Sequence, residues 1–211
     1  NDYTKGLAEN FQKFFEAGGG KVVVSETYGV GESDFSAQLT KIKRADPDVL
    51  WLPDYYNTVG LITRQARQLG IKKAVFLGAD GWDSSELIPI AGDSIEGGFF
   101  SNHYFPGSTD PVAVAFVKDY QAAYKAVPDA LAALTWDATR LLLQAVQNTG
   151  GLSGNLEKDR EAVREQLAKI TDFDGITGKM TFKSHGDPVK CAVVVKISQS
   201  GEFEFFKSAC P

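Results

Sequence analysis

Apolar residues recur at helical spacing from Tyr3 to Ala17, with Leu7, Phe11, Phe14 and Phe15 predicting one buried helix face and Gly18 to Gly20 closing it. The pattern then changes to a short β-branched run, Lys21 to Thr27, which reads as a strand. A second helix over Phe35 to Arg44 ends at Asp46 and Pro47, and the wholly apolar Val49 to Leu52 reads as a buried strand stopped by Pro53. Thr58 to Leu69 is helical again, its stripe of Leu61, Ile62, Ala66 and Leu69 facing a core while Arg64, Arg67 and Gln68 turn toward water. Next comes the stretch around which the pattern is organised: Ala74 to Leu77 is a short continuous apolar strand, followed by Gly78, Asp80 and Trp82 and then by a helix from Ser84 to Ile90. Asp80 and Trp82 therefore fall just beyond the carboxyl end of a strand, where open α/β sheets place their ligands. Ile95 to Ser101 adds another strand. Alternation at this spacing implies parallel strands joined by right-handed helical crossovers, a doubly wound α/β lobe.

The alternation stops at Phe105, Pro106 and Gly107. Pro111 to Ala126, Ala130 to Asn148 and Leu156 to Ile170 are three helical patterns with no strand between them. Their apolar positions, Val114, Phe116, Leu134, Leu141, Leu142 and Val146 among them, need a surface to pack on. Strand patterns return in Gly178 to Phe182, Ala192 to Ile197 and Glu202 to Phe206, and these are expected to rejoin the first lobe.

Composition narrows the classes. A chain of 211 residues, 43% hydrophobic and 23% charged, can bury a real core. With a formal charge of -5 and no dense run of Lys or Arg, it is not expected to follow a phosphate backbone. No apolar segment approaches the roughly 20 residues that span a bilayer, and the first residues, NDYTKGLAENFQ, have neither signal-peptide nor transit-peptide character.

Catalytic motifs are thin. GVGESD lies between a strand and a helix, but Asp34 stands where a dinucleotide loop needs its third glycine, so a turn with a helix cap is the better reading. His103 and His185 have no metal-ligand spacing, and the chain contains no CxxC, GxSxG or P-loop. Asp80 with Asp83 lacks an accompanying nucleophile or metal set, so catalysis is not expected and no cofactor is called for. Cys191 and Cys210 flank the last two apolar runs. If those runs pair as a hairpin, the two thiols can form a disulfide, as expected in an oxidising compartment; the alternative is two unlinked thiols.

Taken in order, DYTKGLAENF, GESDFSAQLTKIKRADPDVLWLPDYYN, LITRQARQLGI, GADGWDSSEL and GDPVKCAVVVKI resemble the type I periplasmic solute-binding proteins, specifically the branched-chain amino-acid-binding family of ABC transporters. The likeness covers nearly the whole chain. It implies two doubly wound lobes joined by three chain crossings, of which this chain resembles the portion from the first crossing onward. Residues 1–104 would form the second lobe, 105–174 a helical return belonging to an incomplete first lobe, and 175–211 the terminal strands of the second. The first half of the first lobe, with its hydroxyl and amide contacts to the ligand's α-carboxylate, would be absent.

The resemblance also implies site residues. Asp80 falls where the family places an acid against the ligand's α-ammonium. Tyr3 and one of Tyr55 and Tyr56 fall where it presents aromatic rings, and Trp82 and Trp136 are further candidate walls. Tyr28, Trp51 and Tyr104 read instead as core or hinge packing. The implied function is an extracytoplasmic, periplasmic component that binds an amino acid or small amide and delivers it to membrane permease subunits. A receptor ectodomain of the same fold is the alternative, since fold does not fix function. With half a site, this chain alone is expected to bind free amino acids no better than millimolar and to self-associate through 105–174.

Overall fold

Continuous apolar runs become strands, and runs with a three-to-four residue period become helices, in a computed structural model that describes residues 1–183 and 186–211; His185 lies outside the described residues. In chain order the elements are α1 (Asp2–Ala17), α2 (Ser36–Ala45), β1 (Val49–Leu52), α3 (Tyr56–Gln68), β2 (Val75–Gly78), α4 (Leu87–Ala91) and β3 (Phe99–Asn102). There follow α5 (Pro111–Tyr124), α6 (Ala130–Asn148), α7 (Leu156–Ala168), β4 (Phe173–Gly175), β5 (Gly178–Phe182), β6 (Pro188–Val189), β7 (Ala192–Ile197) and β8 (Phe203–Ala209). Two compact units result: Asn1–Ser101 with Val194–Phe206, and Asn102–Val193 with Lys207–Pro211.

The first unit is built on a five-stranded sheet in the order β1-β2-β3-β7-β8. β1 and β2 run parallel, with Leu50 opposite Phe76, and β2 and β3 run parallel, with Leu77 opposite Phe99. Phe35, Val59, Ile62, Phe76, Phe100 and Ile197 are buried in its core. Burying side chains of this size contributes roughly 1.5–3 kcal/mol each.

Three expectations for this unit are corrected. Lys21 to Thr27 belongs to neither sheet. Its burial alternates as a strand's would, with Val22 and Val24 half-buried and Val23 exposed, but β-branched residues give only an extended backbone, and a strand also needs a partner edge. Nor does α1 bury a face: none of its residues is buried and Phe14 is 69% exposed, although Phe11 stacks on Trp51 of β1 at 4.4 Å. Arg67 does not turn to water. Its guanidinium donates to the carbonyls of Ser94, Ile71 and Ala74 and lies 4.2 Å over the Phe76 ring, and this burial lowers its pKa.

In the second unit, Asp110, Asp129 and Asn155 cap α5, α6 and α7 by accepting hydrogen bonds from backbone amides of the first turns. The strand over 178–182 does not rejoin the first sheet; β4, β5 and β6 form an antiparallel sheet of their own. Phe116, Ala133 and Ile176 pack in one apolar cluster and Leu141, Ile170, Phe173 and Met180 in another. Val114, Leu131, Leu142 and Leu143 remain exposed. Cys191 and Cys210 are bonded, with Cα atoms 4.1 Å apart and a sequence separation of 19. A link across a loop of that length stabilises by about 3 kcal/mol in the chain-entropy treatment.

A buried polar cluster ties α6 to the turn between β4 and β5. Asp137, 2% exposed, accepts from the amides of Ile176 and Thr177 and from the Thr177 hydroxyl, and that hydroxyl in turn accepts from Lys190 at 2.6 Å. Burial lowers the Lys190 amine from 10.5 to about 8, with nearby Asp137 pulling the other way. The unfolded chain therefore holds more protons than the folded one between these values, and the Lys190 contribution makes stability rise with pH across that window. Urea midpoints measured from about pH 7 to pH 10 should rise more steeply in the parent protein than in Lys190→Met; parallel curves would refute the linkage.

Candidate ligand-binding site

The candidate residues of the first unit meet beyond the carboxyl ends of β1 and β2. After β2 the backbone enters a 3₁₀ turn, Asp80–Trp82, which lifts Asp80 to the rim. Tyr3, in the first turn of α1, reaches it: the Tyr3 hydroxyl donates to Asp80 Oδ1 at 2.8 Å and accepts from the Gly81 amide at 3.1 Å. A side chain at Gly81 would put a Cβ 2.8 Å from the Asp54 carbonyl and 3.1 Å from the Tyr3 hydroxyl, so only glycine permits this close approach of the two loops. Tyr55, immediately before α3, stacks on Tyr3 with ring centroids 5.1 Å apart.

Burial, followed by the hydrogen bond to Asp80, raises the Tyr3 pKa far above its ordinary value, so this hydroxyl is a donor at every working pH. A carboxylate held by a neutral donor beside two aromatic faces suits a cationic head group carrying an apolar body.

Asp80, Tyr3 and Tyr55 thus come together. Tyr56 is the first residue of α3 and half-buried, so of the adjacent pair it is Tyr55 whose ring packs on Tyr3. Trp82, expected as a wall, is instead fully buried, with its indole nitrogen donating to the Leu52 carbonyl at 3.0 Å. The absence of a side chain at Gly78 makes its place, since a Cβ there would lie 2.0 Å from the indole. Trp82 supports the turn from behind. Trp136 belongs to the second unit, where it is 52% exposed and packs on Phe116 at 5.7 Å.

Sequence reasoning missed Asp54 and read Tyr28 as packing. Asp54, on the exit of β1, is buried; its carboxylate accepts from the Tyr28 hydroxyl at 2.6 Å and from the Tyr55 amide at 2.7 Å. Burial, then the bond to Asp54, raises the Tyr28 pKa well above the ordinary tyrosine value. The available signal was the position of Asp54 after an apolar strand, the same signal that marked Asp80. An apolar recess of 470 Å³ lined by Leu7, Asn10, Phe11, Phe14, Phe15 and Trp51 lies within the first unit and shares no residue with this cluster.

Charged and aromatic groups stand at the strand ends where open α/β sheets bind their ligands, and residues 1–202 match the family described as periplasmic binding protein. The chain belongs to that family. It is 30% identical over 185 residues, 88% of its length, to the leucine-, isoleucine-, valine-, threonine-, and alanine-binding protein of Pseudomonas aeruginosa, and covers 47% of that protein. Among solved structures it resembles the leucine-binding protein LivK of Thermotoga maritima at 37% identity and a TM-score of 0.91, covering all of this chain and 58% of that one. It also resembles the branched-chain amino-acid transporter substrate-binding protein LivJ of Streptococcus pneumoniae, solved in complex with isoleucine, at 31% identity and a TM-score of 0.83, covering 57% of that chain. The chain thus spans about half the length of the relatives it matches.

Proposed function

We propose that this chain supplies one wall of the binding site of an extracytoplasmic solute-binding protein that captures an aliphatic amino acid, branched-chain or related, for delivery to the permease of an ABC transporter. The observation that carries this reading is the contact of Tyr3 with Asp80 and Tyr55 at the carboxyl ends of β1 and β2. In this reading Asp80 pairs with the ligand's α-ammonium, and the stacked tyrosines cover its α-carbon and side chain. Groups for the α-carboxylate come from the part of the relatives that this chain does not span. The exposed apolar residues of α5 and α6 are consistent with a face that another segment or copy covers. The isoleucine bound by the Streptococcus protein supports the ligand class.

The test is calorimetry on the full-length protein with L-leucine, L-isoleucine and N-acetyl-leucine, and on the 211-residue chain alone beside light scattering. The full-length protein should bind the two free amino acids at micromolar affinity or tighter and the acetylated analogue at least about a hundredfold more weakly, as follows from losing a charged hydrogen bond. The isolated chain should bind no better than millimolar and self-associate. N-acetyl-leucine binding as well as leucine would overturn the role of the ammonium, and micromolar binding by a monomer of this chain would overturn the half-site.

A further inference from the structure

The rim holds a second tyrosine–carboxylate pair, which the amino-acid reading does not use. Tyr28 lies in the loop before α2, 26 residues from its partner, and its ring is fixed edge-on at 5.0 Å against Phe35, a core residue. Its hydroxyl donates to Asp54 Oδ2 at 2.6 Å while Asp54 Oδ1 accepts from the Tyr55 amide at 2.7 Å. The Asp54 amide is itself bound to the Leu52 carbonyl, the last of β1. Both carboxylate oxygens are thereby met by neutral donors, and both bonds act on orientation: one anchors Asp54 to the core through Tyr28 and Phe35, the other sets the backbone of Tyr55.

That backbone matters because Tyr55 is the extended residue that starts α3, and its 47% exposed ring meets Tyr3 across a stack of 5.1 Å. The direction of the Cα–Cβ bond decides where an exposed ring can reach, and the backbone φ/ψ decides which rotamers are open to it. The raised pKa of Tyr28 fits this arrangement, because a phenol that stays protonated keeps donating.

We propose that Tyr28 and Asp54 are positioning residues of the ligand site: the pair aims the Tyr55 ring onto Tyr3 and so pre-forms the aromatic wall beside Asp80 before ligand arrives. The consequence for affinity rests on the amino-acid reading above; the consequence for Tyr55 does not. A wall set in advance reduces the ordering that binding would otherwise require, which is how pre-organisation raises affinity.

The test uses the full-length protein labelled with 3-fluorotyrosine, whose Tyr55 fluorine resonance is assigned by its loss in Tyr55→Phe. Without ligand, Tyr28→Phe, which keeps the ring against Phe35, and Asp54→Asn should each shift or broaden the Tyr55 resonance. With L-leucine, Tyr28→Phe should weaken binding about tenfold in the parent and less than about twofold in a Tyr55→Ala background, the non-additivity expected of residues acting through one another. An unmoved Tyr55 resonance in both variants, even with a lowered melting temperature, would reduce the pair to a structural tie and overturn the proposal. A resonance that moves in a protein binding no amino acid would uphold the positioning and overturn the amino-acid reading instead.

Discussion

Asp137→Ala is expected to destabilise the folded protein by about 3–5 kcal/mol, because it leaves buried donors without their acceptor. The carboxylate accepts three hydrogen bonds, from the amides of Ile176 and Thr177 and from the Thr177 hydroxyl. Two of these donors are peptide groups that cannot turn elsewhere. A buried donor stripped of its partner loses roughly 1–3 kcal/mol, and water entering the vacated space keeps the total below a simple sum. Lys190, bonded to the same hydroxyl, also loses the nearby charge that partly offsets its burial. Asp137→Asn retains one carbonyl acceptor but turns an amide N–H₂ toward a donor, so its loss should be intermediate. Urea unfolding with the disulfide intact measures both variants. An alanine variant that melts with the parent would mean the cluster does not hold the β4–β5 turn to α6.

The second large effect is on binding: Asp80→Asn in the full-length protein should weaken amino-acid affinity by about 2–5 kcal/mol, or some 30-fold to several-thousand-fold. Asparagine keeps an oxygen for the Tyr3 hydroxyl, so the contact that ties α1 to the 3₁₀ turn survives and the melting temperature should stay near that of the parent. On the proposed reading, what disappears is the charge that faces the ligand's ammonium. Calorimetry with L-leucine separates the two effects, and an affinity equal to the parent's would strip Asp80 of its role. The Asn variant should also bind N-acetyl-leucine no worse than the parent does, since that ligand brings no cation to the rim.

How far this molecule could be read from its residues depends on the range over which each feature is decided. Val49–Leu52 was legible to the residue because a continuous apolar run lies between two prolines, and Ala130–Asn148 because Asp129 caps a strong helical period. Lys21 to Thr27 has equally good local character, yet whether an extended segment joins a sheet is settled by a distant edge. Asp80 stood out because it follows a strand at the point where α/β sheets bind. Asp54 follows a strand as well, but its meaning comes from Tyr28, and no local pattern announces a contact between a loop and a strand end. Trp82 shows the reverse failure. Its position beside Asp80 suggested a ligand wall, while the empty space over Gly78 that draws the indole inward exists only once β2 and the 3₁₀ turn are folded.

The bond between Cys191 and Cys210 also bears on what protease digestion can separate. The chain passes between the two units after Ser101, Val193 and Phe206, and the cysteines stand beside the second and third of these passages. Strands β7 and β8 therefore form a closed ring of covalent bonds whose two roots are both in the second unit. A single cut in the turn Gln199–Gly201 opens that ring without freeing either piece: the nicked protein migrates as one species until a reductant is added, and then as two. Residues 207–211 are thus held to the second unit by the sulfur link even after the backbone that carries them has been severed.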